Sequence, residues 1–530
     1  MSALYSNRHL DDGDLRSPLI SPELVNPKKI TMDEMLEKYC GEFGWWQLRN
    51  LVLTSLAWLL EGIHVMVMIF ADREPAWRCS TSHCSSTAES VCDLEPGSWE
   101  WSGGTERSTM SEFGLICGDK FKVGLVQSIF FTGCMIGAGV FGHLSDSKLG
   151  RKGSLAMVCI LNAIFGILTA FSSDYWIYAL LRFLSGFSAG GTGLCAFVLA
   201  TEPVGQSWRG VAGMSTFYFF STGIAVVSAI GYFIQPWRSL YIAASIPSVI
   251  FIILVLPFLH ESPRWCLVRG KLDEAMKTMQ KIAVSNGKQN IPYGVILALD
   301  SEVNDGVSNF QSDTKEVING SILDVLRSPV TRIRFLLALS INFFSSVVYY
   351  GLSLNAVNLG TNLYFNVALN AVSEMPAYLL TALMLDRLGR KPLAIGTMWF
   401  SGIFCLVGSL LKSTDGAWKV VRMVCGLLGI FGIAGTFNLL FVYSMELFPT
   451  VVRNAALGCV TQAVHLGAIL APIVVVLGVG VPFAVFGACG IAGGLLVIYL
   501  PETLNKPLYD TMDGLKEAET KTRLGSEIGY

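Results

Sequence analysis

The feature that most limits what this chain can fold into is a series of apolar runs, each about the 20 residues a helix needs to cross a lipid bilayer. Twelve are expected, at roughly 50–71, 123–143, 153–172, 175–201, 211–234, 238–259, 333–354, 361–384, 393–412, 418–445, 455–477 and 479–500. A soluble fold would have to bury all of them inside one globule. Composition points the same way. Of 530 residues, 52% are hydrophobic and 15% charged, against about 25% charged in an ordinary soluble domain. Mean hydropathy is +0.52. The 53 glycines suit helices that pack closely in lipid. A net charge of −2 gives no basis for a nucleic-acid partner.

The runs are punctuated by charge, and the punctuation repeats. Gly142-His143-Leu144-Ser145-Asp146-Ser147-Lys148-Leu149-Gly150-Arg151-Lys152 joins the second run to the third. Asp386-Arg387-Leu388-Gly389-Arg390-Lys391 joins the eighth to the ninth, and Asp386 lies 240 residues after Asp146. Arg182 opens run 4 and Arg422 opens run 10, again 240 apart. Glu202 precedes Arg209 by seven, and Glu446 precedes Arg453 by seven. Run 6 ends in Glu261-Ser262-Pro263 and run 12 in Pro501-Glu502-Thr503. Six helices repeated in parallel orientation predict an all-α membrane protein of two six-helix bundles, with a ligand site between them near the midplane.

This divides the chain into a tail (1–49), a first bundle (50–259) with an outer loop at 72–122, an inter-bundle loop (260–332), a second bundle (333–500) and a C-terminal tail (501–530). Residues 1–26 read as a disordered tail. Thr31 to Glu34 is a capping-box pattern opening a short amphipathic helix, and Trp45 and Trp46 suit the membrane–water interface. In the inter-bundle loop, Leu272, Ala275, Met276, Met279 and Ile282 share one helical face. Ser321 to Asp324 caps a further short helix, and 285–318 reads as a link. Lys148, Arg151, Lys152, Arg209, Arg387, Arg390, Lys391 and Arg453 fall on one side of the membrane. The opposite short loops are poor in Lys and Arg, Lys412 and Lys419 excepted. The positive-inside rule puts both termini in the cytosol, and the polar, acid-bearing first 49 residues do not resemble a cleaved signal peptide.

An ionisable group deep in a span costs roughly 2.5–3.5 kcal/mol on insertion scales, so each is a functional candidate. Glu374, just before Pro376, can neutralise an ammonium ion, carry a proton, or hold a helix that proline disturbs. Glu61 and His64 lie three apart on one helix face and form either a proton-sensitive pair or a mutually satisfied one. Trp58, Tyr218, Tyr349 and Tyr350 offer ring faces to a cation, or simply pack. Of 13 cysteines, Cys79, Cys84, Cys92 and Cys117 fall in the outer loop. They predict two disulfides with three connectivities open. A zinc site using His83 lacks paired ligand spacing. No metal, cofactor or nucleotide engine is expected, since Gly137 to Gly142 is followed by His143 and not by Lys-Ser/Thr.

The charged hinge Gly142 to Lys152 resembles the loop 2–3 signature of the major facilitator superfamily, with one extra residue between Asp146 and Gly150. Its second copy has the usual spacing. Glu261-Ser-Pro-Arg264-Trp265 is similar to the signature shared by sugar porters and organic cation transporters. Phe343 to Leu352, Glu374-Met-Pro376-Ala and Glu446 to Asn454, with the long first outer loop, resemble the organic cation/carnitine transporter family. Phe70 to Cys79 resembles its plant branch. The resemblance implies that Glu374 faces a central cavity, and that acids matching Glu202 and Glu261 and arginines matching Arg151 and Arg209 form a cytosolic network. Asp146, Gly150, Lys152, Arg264, Asp386, Gly389, Arg390, Lys391, Glu446 and Arg453 belong to the same expected conformational latch. Tyr349 fits the family's Ser-x-x-Tyr-x-Gly pattern. Two positions depart: His465 stands where animal cation transporters carry an acid, and Asn438 where a Glu is usual. Both departures favour a zwitterion or a proton-coupled substrate over a simple monocation.

The expectation is a secondary transporter, not an enzyme, that moves organic cations or carnitine-like zwitterions by alternating access, with protons as possible co-substrates. Its expected setting is the plasma membrane, the vacuolar membrane being the alternative. A sugar or organic-anion proton symporter is the second reading, and a non-transporting sensor on the same fold the third.

Overall fold

The computed structural model describes residues 32–81, 90–147, 149–289, 291, 322–411, 416–478, 480–506 and 515. The expected disordered tail 1–26, Thr31, His83, Cys84, most of the expected link 285–318, Ser321 and most of the C-terminal tail lie outside these residues. Among the described residues eleven helices are long and apolar enough to cross a membrane, and a twelfth apolar helix has 17 residues, within the range for a span. We number them α1 (Trp45–Ala71), α2 (Phe121–Asp146), α3 (Gly150–Thr169), α4 (Tyr175–Thr201), α5 (Gln206–Phe233), α6 (Trp237–Ile250), α7 (Pro329–Leu354), α8 (Leu363–Leu388), α9 (Arg390–Leu410), α10 (Gly416–Glu446), α11 (Thr450–Val475) and α12 (Val481–Val497). A π turn, Phe251–Val255, and a 3-10 turn, Leu256–Phe258, extend α6. Below, the terminal face is the one where α1 begins and α12 ends, and the loop face is the opposite one.

The packing repeats across the halves. In the first, α1 packs on α5, α2 on α4 and α3 on α6; in the second, α7 packs on α11, α8 on α10 and α9 on α12. On α2, Gly133 and Gly137 lie against the backbone of Phe183 to Phe187; on α4, Gly186 and Gly190 lie against that of Phe130 and Cys134. A side chain at any of the four would collide with main chain, so small residues set the α2–α4 distance. Outward-facing Ile160, Ile164 and Leu168 on α3, and Ile246, Ile250 and Ile253 around α6, are exposed. Their helical spacing makes an apolar outer surface suited to contact with lipid.

The outer loop is anchored to the first half by two acids absent from the sequence-based expectation. Asp72, 4% exposed, accepts hydrogen bonds from Thr109 and Tyr178 at 2.7 Å each. Glu112 accepts from Trp237 Nε1 at 2.6 Å and from Arg238 at 2.5 Å. A two-stranded ribbon, β1 (Trp77–Cys79) with β2 (Trp99–Trp101), projects from this base. Cys92 is bonded to Cys117, and Cys79 is also in a disulfide.

Near the terminal face, Met32–Met35 and a π turn, Leu36–Cys40, precede α1. They bury Met35, Leu36 and Cys40 against Ala275, Met279 and Ile282 of the helix Leu272–Ser285, the face expected from the sequence. Asp33 secures this segment by ion pairs to Arg209 at 2.7 Å and to Arg264. Partial burial pushes the Asp33 carboxyl up, but hydrogen bonding and attraction from the two guanidiniums outweigh it and hold it below the usual carboxylate range.

Candidate functional site

Between the halves lies a cavity of about 150 Å³. Six aromatic rings wall it: Trp58 on α1, Phe197 on α4, Phe217 on α5, Tyr350 on α7, and Phe437 and Phe441 on α10. One carboxylate lines it, Glu61, whose Oε2 is buried and has no hydrogen-bond partner. His465 on α11, with Asn342, Ser444 and Thr461, completes a polar strip. The volume is below that of pockets for drug-sized ligands and like that of cavities that take one small ring. Aromatic faces around a lone carboxylate form the environment that stabilises an organic cation.

Other expected site residues stand behind this wall. Glu374, 1% exposed, does not line the cavity. Its carboxylate accepts hydrogen bonds from Tyr349 at 3.2 Å, from Tyr378 at 3.1 Å and from Ser221. Ser221 is on α5 and Glu374 on α8, so this carboxylate joins the two halves through a hydroxyl. Tyr349 stacks on Phe437 with centroids 5.0 Å apart. Tyr218 packs edge-on to Tyr378 at 5.6 Å. Asn438 is buried on α10, its Oδ1 unpartnered.

Glu61 and His64 are not paired. His64 Nε2 lies 3.2 Å from Ser248 Oγ, inside the first half. Three residues along a helix leave two side chains about 60° apart, enough here to send one to the cavity and the other to α6. Arg182 donates to the His64 carbonyl at 3.1 Å and stacks over Phe130 at 4.2 Å.

Seals lie on both sides of the cavity. Toward the loop face, Ser128 Oγ donates to the Ile469 carbonyl at 2.7 Å, and Ser228 Oγ to that of Tyr364 at 2.5 Å. The Tyr364 ring stacks on Phe70 at 5.4 Å, and its hydroxyl accepts from Arg73. Toward the terminal face, Phe197 meets Phe441 at 4.9 Å, and Met214 packs on the core of the second half.

The charged hinges form two matching clusters on the terminal face. In the first half, Arg151 pairs with Glu202 at 3.0 Å and with Asp146. Glu261 accepts from the backbone N–H of Arg151 at 3.0 Å and of Lys152 at 3.2 Å, which caps the N-terminus of α3. In the second, Arg390 pairs with Glu446 at 3.0 Å and with Asp386 at 3.3 Å. Glu502 accepts from the N–H of Arg390 and Lys391, both at 3.0 Å, and caps α9. Gly150 (φ +77°) and Gly389 (φ +91°) stand in the left-handed region, where a Cβ would press on Glu261 and Glu502 respectively. Every one of these pairs lies within one half. Arg209, expected in one network with Arg151, Glu202 and Glu261, pairs with Asp33. Arg264 donates to the Glu202 carbonyl at 3.1 Å, and Arg453 to the Phe448 carbonyl at 3.3 Å.

The sequence model of the sugar (and other) transporter family matches residues 52–513. The chain is 62% identical over 514 residues to organic cation/carnitine transporter 4 of Arabidopsis thaliana, with 96% of each chain covered. It is 36% identical to organic cation/carnitine transporter 3 of the same plant, over 96% of this chain and 97% of that one. Among solved structures it is similar to the xylose transporter XylE from E. coli in a partially occluded inward-open conformation. The TM-score is 0.65 at 18% identity, over 87% of this chain and all of that one. At that identity the likeness is one of fold.

Proposed function

The chain belongs to the major facilitator superfamily and, within it, to the organic cation/carnitine transporter family, and on that premise we propose that it carries small organic cations or carnitine-like zwitterions across a membrane by alternating access. The observation that carries this reading is Glu61, its Oε2 without a partner, lining the central cavity with six aromatic rings. A buried carboxylate without a partner is costly to keep charged. A substrate ammonium supplies its counter-charge, with ring faces for the alkyl groups. A proton neutralises the same group, so Glu61 is the point where substrate and proton compete. His465 faces the same cavity.

Glu374 has a different role in this reading. Its bond to Ser221 spans the halves and must break when they separate on the loop side. It gates, and meets substrate only after release. The clusters around Arg151 and Arg390 keep each half rigid at the terminal face. They meet the opposite half when that face closes, and so tune the balance of states. The excess of Lys and Arg in its short loops supports a cytosolic terminal face, and with seals on both sides of the cavity the present arrangement is occluded. The plasma membrane is the setting we assign.

The test is uptake of labelled carnitine and tetraethylammonium into voltage-clamped cells at about pH 5.5 and about pH 7.5, spanning the range where a perturbed acid or histidine titrates. Uptake that falls at the higher pH supports proton symport, and uptake that follows voltage alone supports a uniporter. Glu61→Gln removes the counter-charge and is expected to raise the half-saturation concentration roughly tenfold or more. Unchanged half-saturation in that variant removes Glu61 from the site.

A further inference from the structure

Above the loop-side seal lies a second cavity, of about 420 Å³, lined by both halves. Arg73, Arg107, Lys120 and Gln127 face it from the first half, Asn358 and Thr361 from the second. Its charged lining is Arg73, Arg107 and Lys120 against Asp72 and Glu74, three cations and two anions, a surplus of one positive charge. Lys120 is paired with Glu74 at 2.9 Å, and Asp72 is occupied by Thr109 and Tyr178. Arg107 has no hydrogen-bond or ion-pair partner among the described residues. Arg73 donates to Tyr364 and, at 3.1 Å, to Gln235, while its Nε is buried and unpartnered.

We propose that this outer cavity is a second binding site, for the carboxylate of a zwitterion or organic monoacid, held by Arg107 and by Arg73. A guanidinium fork matches a carboxylate in shape and charge. The single surplus charge suits a monoanion better than a phosphate. Occupation has a mechanical consequence, because Arg73 is one of the groups that tie the first half to Tyr364 on α8. A carboxylate that takes Arg73 competes with Tyr364 and loosens the loop-side seal. Such a ligand binds better to the arrangement in which Arg73 is released, and so favours opening. A cation without a carboxylate has no such lever. The inference rests on the transport reading for its ligand class, but its site lies elsewhere.

The experiment is equilibrium binding of labelled L-carnitine and of tetraethylammonium to the purified full chain, alongside uptake of both. The wild type is expected to bind more carnitine than tetraethylammonium per chain, and Arg107→Ala to abolish that excess. In uptake, the same variant should shift selectivity from carnitine toward tetraethylammonium by roughly tenfold, the loss expected from one charge-assisted hydrogen bond. Arg107→Lys keeps the charge without the fork and should fall between. Arg78→Ala, which breaks an exposed pair with Glu100 in the same loop, controls for damage to the loop. Equal carnitine binding in wild type and Arg107→Ala overturns the outer site while leaving the transport reading intact. Arg107-dependent carnitine binding without uptake of either compound upholds the site and overturns the transport reading.

Discussion

At the scale of single residues, two carboxylates within the spans differ in what they touch. Glu374 is satisfied by Ser221, Tyr349 and Tyr378; Glu61 lines the cavity, and its Oε2 has no hydrogen-bond partner. Loss of charge should therefore act differently at the two sites. Glu374→Gln keeps an acceptor but weakens the bridge, so it should lower the maximal transport rate more than the apparent affinity. Glu61→Gln should do the reverse, and concentration-dependent uptake separates the two. Gly150 and Gly389 yield another prediction. Alanine at either must adopt a positive φ, a strain of about 1–3 kcal/mol, and must also displace the capping carboxylate. The detergent-solubilised protein should melt at lower temperature, and equal melting would show that the caps carry no stability. The sequence singled out both acids from the expense of burying them, but not which one faces the cavity. Periodicity gives an angle around the helix axis; it does not say which helix stands at that angle.

At the scale of elements, the charged hinges act as helix caps. The Glu502 carboxyl is pushed up by partial burial, yet the N–H groups of Leu504, Arg390, Lys391 and Thr503 hold it below the usual range. Asp33 is likewise depressed, by Arg209 and Arg264. A depressed carboxyl adds stability above its unfolded value, near 4, and loses it as the pH falls through the folded one. Docking of the Met32–Cys40 segment should thus be indifferent to pH through the neutral range and fail only below about pH 4. Limited proteolysis of this segment across pH reads it directly, and Asp33→Ala should expose the same cleavage sites at neutral pH. The sequence suggested Asp33 only as part of a capping box. Its partners, Arg209 and Arg264, lie 176 and 231 residues away, and no local pattern carries a pairing over that distance. The amphipathic helix Leu272–Ser285 was legible because its signal is local: of the residues its periodicity selects, Ala275, Met279 and Ile282 are buried and Leu272 and Met276 partly buried.

At the scale of the whole molecule, the duplicated hinges foretold two equivalent halves, and the matching helix pairs of each half have that form. The arrangement of the halves was not legible, because one sequence must serve every state of a cycle. Loop-side closure rests on Ser128, Ser228, Tyr364 and Arg73. Cysteines at Ser228 and Tyr364 joined by a short bifunctional reagent should hold that side shut and stop uptake, and a reducible linker should restore it on reduction. Continued uptake with the bridge intact would show that the loop side need not open. The ion pairs of Arg151 and of Arg390 each stay within one half. The durability of each half is therefore set apart from the seam between them. Substitutions along the seam can change the tempo of exchange while each half stays as firmly folded as before, so speed and robustness are free to evolve separately.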